Sequence, residues 1–279
     1  MSREDWPMSK RAAVSPNVLV KHHQPFLLYF YHVYVIIELE TIKMMKDPTE
    51  IFSRSLQPVI WLLLFGEAFS RMKAVPEAGG DYLAFLTPGI LAQSITFVSI
   101  FNGLSIIWER DMGLLQKILT TPIERSALVL GKMLASTFRS LCQLVVVLMV
   151  AFCLGIHLQW SIDRVFGLLG FVVLGSAFFS GMSMVIAAIV KTRDRMMGIG
   201  QLVTMPLFFA SSALYPVSIM PVWLQFFAKA NPMSYLVDGL RGLLLDPVYA
   251  HGFLDAFVLL AATLFVWALA TREYPRLLT

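Results

Sequence analysis

Residues 82–108 contain no Asp, Glu, Lys or Arg, and neither do residues 165–190. About 20 consecutive apolar residues suffice for a helix to cross a bilayer, so each run is long enough to do so. A soluble fold cannot solvate two such segments. The rest of the chain does not compensate: of 279 residues, 57% are hydrophobic and 14% charged, where roughly 25% charged is usual for a soluble domain. A soluble enzyme, a disordered chain and a disulfide scaffold are thereby disfavoured. Cys142 and Cys153 share one apolar stretch. On a helix they stand roughly 16 Å apart, beyond disulfide reach, and are read as packing residues.

The fold expected is all-α and integral to a membrane, with six transmembrane helices. The spans are placed at about 51–69, 82–108, 128–156, 165–190, 196–214 and 253–271. Asp47-Pro48-Thr49-Glu50 offers an N-cap with Pro at N1 for the first, and Thr121-Pro122-Ile123-Glu124 a capping box for the third. Residues 1–24 read as a polar tail without a signal peptide, and residues 47–279 as one transmembrane domain. Residues 25–46 hold an apolar run of only 12 residues, Phe26 to Ile37, followed by Glu38, Glu40, Lys43 and Lys46. Those charges are costly in lipid, and the aromatics suit the headgroup zone, so this segment is read as an interfacial amphipathic helix.

Residues 215–252 are apolar but broken by Pro216, Pro221, Pro232 and Pro247. Neither half is long enough to span. A re-entrant helical hairpin fits, with Asn231 capping its second helix and Pro232 at N1. Its marked residues are Pro221, Trp223, Asn231, Pro232, Asp238 and Arg241. With six spans both termini share a side. Sixteen of the 22 Lys and Arg residues fall on that side and five on the other, with Arg139 inside a span. The positive-inside rule therefore makes both termini cytoplasmic and the hairpin extracellular.

The most informative polar segment is the 109–132 loop. Residues 109–119 read as a short helix with charges first and Leu114, Leu115, Ile118 and Leu119 after them. Its apolar side needs a cover, either a partner protein or the chain's own interfacial helix. Small residues recur every four positions in the fourth span: Ser176 with Ser180, Ala177 with Gly181, Ser183 with Ala187. Such faces let helices approach closely, within one subunit or between two.

Enzyme signatures are missing. Gly131-Lys132 is followed by Met133 and is no phosphate-binding loop; neither Gly-x-Ser-x-Gly nor His-Glu-x-x-His occurs. The five histidines are scattered, His22-His23 included, so no metal site is expected. Glu67 and Asp255 lie near span ends, where solvated carboxylates are the default. Arg139 is deeper and reads as structural or as facing lipid phosphate. No basic stripe suggests nucleic acid.

Four stretches together resemble the membrane subunit of type-2 ABC exporters, over about residues 40–272. They are Lys46-Asp47-Pro48 with Leu56 to Gly66, Tyr82 to Leu91, Trp108 to Pro122 continuing to Leu130-Gly131-Lys132, and Leu214 to Leu224 with Asn231 to Arg241. The resemblance implies a permease subunit that is not itself an enzyme, paired with a second copy, most simply as a homodimer in the plasma (inner) membrane. A separate ATP-binding subunit would carry ATP and Mg, with no cofactor in this chain. It further implies that Glu109, Arg110, Asp111, Gly113, Leu114, Leu115, Thr121 and Pro122 form the helix that couples to the ATPase. The cargo expected is a hydrophobic drug or lipid-like molecule, with a lipid-linked polysaccharide or oligosaccharide as the alternative. Phe97, Phe101, Phe208 and Phe209 are candidates for the substrate pathway, although Phe is also ordinary lipid-facing filler. An integral membrane lipid-modifying enzyme is the remote alternative, for which no catalytic cluster can be assembled.

Overall fold

The structure, a computed structural model, describes residues 25–46, 48–72, 82–119, 123–190, 192–246 and 252–277. Residues 1–24, Asp47, Thr121 and Pro122 lie outside these, as do the side chains of Glu50 and Glu67. Among the described residues all regular structure is helical. The helices are α1 (Pro25–Met45), α2 (Pro48–Met72), α3 (Tyr82–Asp111), α4 (Leu114–Leu119), α5 (Arg125–Cys153), α6 (Ile162–Val190), α7 (Arg193–Phe209), α8 (Val222–Ala230), α9 (Pro232–Leu244) and α10 (Gly252–Glu273). A 3₁₀ turn, Tyr274–Leu277, closes the described chain.

Four of the described helices are long and apolar enough to cross a membrane: α3, α5, α6 and the stretch Gly252–Arg276. They coincide with the expected second, third, fourth and sixth spans. The first and fifth spans are helical but do not reach that standard. Helix α2 carries Glu50, Arg54, Glu67 and Arg71, and α7 has 17 residues and opens on Arg193, Asp194 and Arg195. Helix α7, the expected fifth span, also stops at Phe209, short of the expected 214. There the Ser211 hydroxyl donates to the Phe208 carbonyl, offering the backbone an alternative to another helical turn.

Two helix starts contrast. The Asn231 side chain accepts from the Met233 amide at 3.0 Å with Pro232 at N1, as the sequence predicts. The third span departs from expectation. Helix α5 begins at Arg125, with Glu124 in the N-cap position and no side-chain cap bond, so the Thr121 capping box does not start this helix.

Helix α3 is the centre of the bundle. Of its most apolar stretch 78% is buried, against 28% for α10 at the periphery. Leu91, Ile95, Phe171, Phe179, Phe208 and Leu236 form the main apolar cluster. In lipid the hydrophobic effect does not drive helices together, so close packing must. The small residues of α6 serve that purpose inside the chain: Ser176, Ala177, Ser180, Gly181, Ser183 and Ala187 are all buried. Asn102 Nδ2 donates to Ser180 Oγ at 2.7 Å, and Ser136 Oγ to the Ser176 carbonyl at 3.1 Å. Gly89 lets the turn after α7 lie against α3, since a Cβ there would sit 2.3 Å from the Ala213 carbonyl oxygen. Cys142 and Cys153 are free thiols.

Candidate functional site

Helix α1 is amphipathic in an unusual sense. Its buried face carries Val33, Ile36, Met44 and the carboxylate residue Glu40, while Phe26, Phe30, Tyr31 and Tyr34 are exposed. Val33 and Ile36 press against Gly131 of α5, where a Cβ would lie 2.8 Å from Ile36 Cβ. This seating carries Glu40 into a cluster of four charges.

Lys132 Nζ of α5 sits 2.6 Å from Glu109 Oε2 and 3.0 Å from Glu40 Oε1. Lys43 Nζ of α1 sits 2.7 Å from Glu109 Oε1 and 3.1 Å from Glu40 Oε1. Two cations thus face two carboxylates, and Glu109 uses one oxygen for each lysine. Burial alone would raise the Glu40 pKa, but Lys132 and then Lys43 oppose it and hold the carboxyl at about 2. The cluster joins α1, α3 and α5 at one point. Sequence reasoning marked Glu40, Lys43 and Lys132 separately and did not pair them. The signal was present: a lysine two turns into a long apolar helix demands partners.

Glu109 is therefore a buried anchor, 4% exposed, rather than a surface group. The next turn is outward. Asp111 accepts from Arg110 Nη2 at 2.8 Å and is paired with Arg193 Nη2 of α7 at 2.9 Å. The bond from Arg110 leads in lowering the Asp111 pKa, with Arg193 adding to it. The Arg193 guanidinium also lies over the Trp108 ring, 3.7 Å from its centroid. Gly113 then reverses the chain at φ +69°, in the left-handed region, and its amide donates to the Arg110 carbonyl at 2.9 Å. Leu114 is half-buried. Leu115 is fully buried in an apolar cluster with Ile107, Leu128, Val129 and Ile36 of α1. The chain thus covers the Leu115 side of α4 itself. Met112, Asp111 and Lys117 face out.

The second expected site lies at the other end of α3. Helices α8 and α9, of 9 and 13 residues, meet at Asn231, whose Nδ2 donates to the Leu207 carbonyl at 2.7 Å. Arg241 pairs with Asp238 at 3.3 Å and donates to the Ser212 and Phe85 carbonyls at 2.8 and 3.3 Å. Its guanidinium lies 3.9 Å from the Phe85 ring centroid, and Ser212 Oγ donates to Asp238 at 2.7 Å. Pro221 caps α8, and Trp223 projects from it, 65% exposed. Asp255, expected to be solvated, is buried at the start of α10.

The four candidate phenylalanines separate into two pairs. Phe97 and Phe101 of α3 stand with ring centroids 4.7 Å apart and line an apolar cleft against α7. Phe208 is fully buried in the core, edge-on to Trp61. Phe209 stacks edge-on to Phe208 and is 44% exposed. Among the described residues no group of His, Cys, Asp and Glu could hold a metal ion.

Comparison with known proteins places these features in a family context. The sequence pattern of the ABC-2 type transporter family matches residues 31–245. A transport permease, ycf38, of Cyanophora paradoxa is 27% identical over 227 residues, covering 80% of this chain and 76% of its own. The daunorubicin resistance ABC transporter permease protein DrrB1 of Streptomyces coeruleorubidus is 28% identical over 201 residues, 71% of this chain and 69% of its own. Nodulation protein J of Rhizobium leguminosarum bv. trifolii is 29% identical over 192 residues, 68% of this chain and 71% of its own.

Proposed function

The chain belongs to the ABC-2 type transporter family, and from that premise we propose that it is the permease subunit of an ATP-driven exporter. Two copies assemble in the plasma membrane with a separate ATPase subunit, which binds ATP and Mg. Helix α4 receives the movement of that ATPase. The observation that carries this reading is the anchoring of α4: the helix before it is fixed through Glu109 to Lys132 and Lys43, and Leu115 is seated in the core. A force applied to Asp111, Met112 or Lys117 is therefore passed to α1, α3 and α5 together.

In this reading α2 and α7 complete six spans, both termini are cytoplasmic, α1 lies on the cytoplasmic face, and α8–α9 dip in from outside. The spacing along α3 supports the arrangement. Phe85, against Arg241, and Glu109, against Lys132, are 24 residues apart, or roughly 36 Å along the helix axis. That slightly exceeds the ~30 Å of a bilayer's hydrocarbon core, so the two charged clusters sit at opposite faces. The cargo is a hydrophobic or lipid-like molecule, a reading supported by the apolar cleft at Phe97 and Phe101 and by the drug-resistance permease among the relatives.

The test is purification from the native host in mild detergent. We expect an equimolar soluble companion bearing a Gly-x-x-x-x-Gly-Lys-Ser/Thr loop, lost when Asp111→Lys and Lys117→Glu are combined. A permease that purifies with no ATPase, or a companion indifferent to those changes, overturns the reading.

A further inference from the structure

Helix α7 is held to its neighbours by one narrow row. Of its 17 residues, Met196, Gly200, Thr204 and Phe208 are buried. They recur every four positions and form a single ridge along the helix. Glycine on each side lets that ridge seat closely on α3. A Cβ on Gly103 would lie 2.6 Å from Met196 Cε, and one on Gly200 would lie 3.1 Å from Ile100 Cγ2. Helix α3 is held differently. It is buried along most of its length and is pinned through Glu109 to Lys132. Of the two, α7 is the helix suited to slide or roll, as packed helices do in shear motions.

Both ends of α7 are bonded to other elements. At its start, Arg193 sends Nε and Nη2 to Asp111 Oδ2, at 3.0 and 2.9 Å, and covers the Trp108 ring. Asp111 ends α3, two residues before the left-handed turn at Gly113 that leads into α4. At its end, α7 leaves carbonyls that a further helical turn would have satisfied, so donors must come from elsewhere. Asn231 Nδ2 donates to the Leu207 carbonyl at 2.7 Å, and the Tyr215 hydroxyl to the Phe209 carbonyl at 2.7 Å. Asn231 caps α9 with its other amide atom. One side chain thus fixes the α8–α9 junction to the last turn of α7. Arg193 and Leu207 are 14 residues apart, or roughly 21 Å along the axis.

The Arg193–Asp111 pair is a poor device for stability. The two side chains are 35% and 34% exposed, and pairs of that kind contribute little to folding. Its geometry is nevertheless specific, with two donors on one oxygen and a stacked guanidinium face. A contact that is weak for folding but defined in direction suits a joint between moving parts.

We propose that α7 is a connecting rod that carries movement of the Asp111 turn to the α8–α9 hairpin, with Arg193 and Asn231 as the positioning residues at its two joints. This rests on the permease reading and adds to it a route from the ATPase-facing turn to the opposite face.

Coupling between two sites is reciprocal, which gives a test that needs no ATPase. Hydrogen–deuterium exchange is followed in the purified full chain in lipid nanodiscs. Arg193→Gln is expected to speed exchange of the amides of residues 224–230 by about fivefold or more, the lower end of usual coupling between sites. Asn231→Ala is expected to speed those of residues 196–200 likewise. The core amides of α6 should keep their rates in both variants, which separates transmission from general loosening. Arg193→Lys, which keeps the charge but not the planar fork, should fall between the parent and Arg193→Gln. Changes confined to the mutated end, or shared equally by α6, overturn the proposal. The exchange result stands whether or not an ATPase companion is found, so its failure is distinct from that of the permease reading. In the reconstituted complex, Arg193→Gln and Asn231→Ala should each lower ATP-driven transport. The double variant should be no worse than the poorer single one, since both break one rod. Transport losses that simply multiply overturn the proposal as well.

Discussion

Lys132 Nζ on α5 lies 2.6 Å from Glu109 Oε2 on α3, and the two side chains are only 4% and 5% exposed. Removing one partner of such a pair strands a buried charge and typically costs about 3–5 kcal/mol. Lys132→Met should therefore lower the thermal unfolding midpoint of the purified chain sharply. Lys43→Ala should do little, since Lys43 is 38% exposed and pairs of that kind contribute about 0–1 kcal/mol. Neutralising the buried set together, with Glu40→Gln, Glu109→Gln and Lys132→Met, should recover much of the loss. A Lys132→Met protein as stable as the parent would show that the cluster is not what joins these helices.

The same cluster fixes an acid limit. The Glu40 pKa is lowered from 4.5 to about 2, so its folded-state value is depressed. Stability from such a group is fully present above the unfolded value and is lost as pH falls through the folded one. Unfolding midpoints should hold through this group between pH 7 and pH 5 and decline between about 4.5 and 2. Glu40→Gln should be less stable at pH 7 yet lose less across the acid window. A Glu40→Gln curve parallel to the parent from pH 5 to pH 2 would remove Glu40 from the account.

The sequence was most legible where a single local rule decides. Charge-free runs located α3 and α6 within a few residues, and Asn231-Pro232 located the start of α9. It was least legible where the outcome depends on a distant partner. Thr121-Pro122 reads as a helix start, yet α5 begins at Arg125. Ser176 and Ser180 read equally as a subunit interface or an internal face, and only the positions of Ser136 and Asn102 decide it. The family resemblance implied a docking role for Glu109 at the head of the 109–122 segment. Lys132, 23 residues later, turns it inward.

Helix α9 crosses α6 at a glycine. A Cβ on Gly239 would meet Phe171 Cε1 at 2.2 Å. Overpacking of this kind typically costs about 1–3 kcal/mol. Gly239→Ala should lower the unfolding midpoint, and Phe171→Leu added to it should restore part of the loss. The two changes share one contact, so their effects should not add. Strict additivity in a double-mutant cycle would show that α9 does not bear on α6 through this pair.

Gly113 differs from Gly239 because space is not its constraint. No heavy atom lies within 4 Å of a Cβ placed there, but its φ is +69°. Any loss on substitution thus arises from backbone conformation alone, about 1–2 kcal/mol for an ordinary residue in this region. Gly113→Asn should be the mildest replacement, since Asn tolerates the left-handed region, and Gly113→Ala should be worse. Gly113→Pro should be worst, because its ring fixes φ near −65° and it removes the amide that donates to the Arg110 carbonyl. The turn sits between the anchored end of α3 and the exposed start of α4. The order Asn, Ala, Pro should therefore appear both in unfolding midpoints and in ATP-driven transport by the reconstituted complex. Transport should fall further than stability does if α4 must keep its angle to transmit force. Full transport by a folded Gly113→Pro protein would exclude α4 from the coupling path.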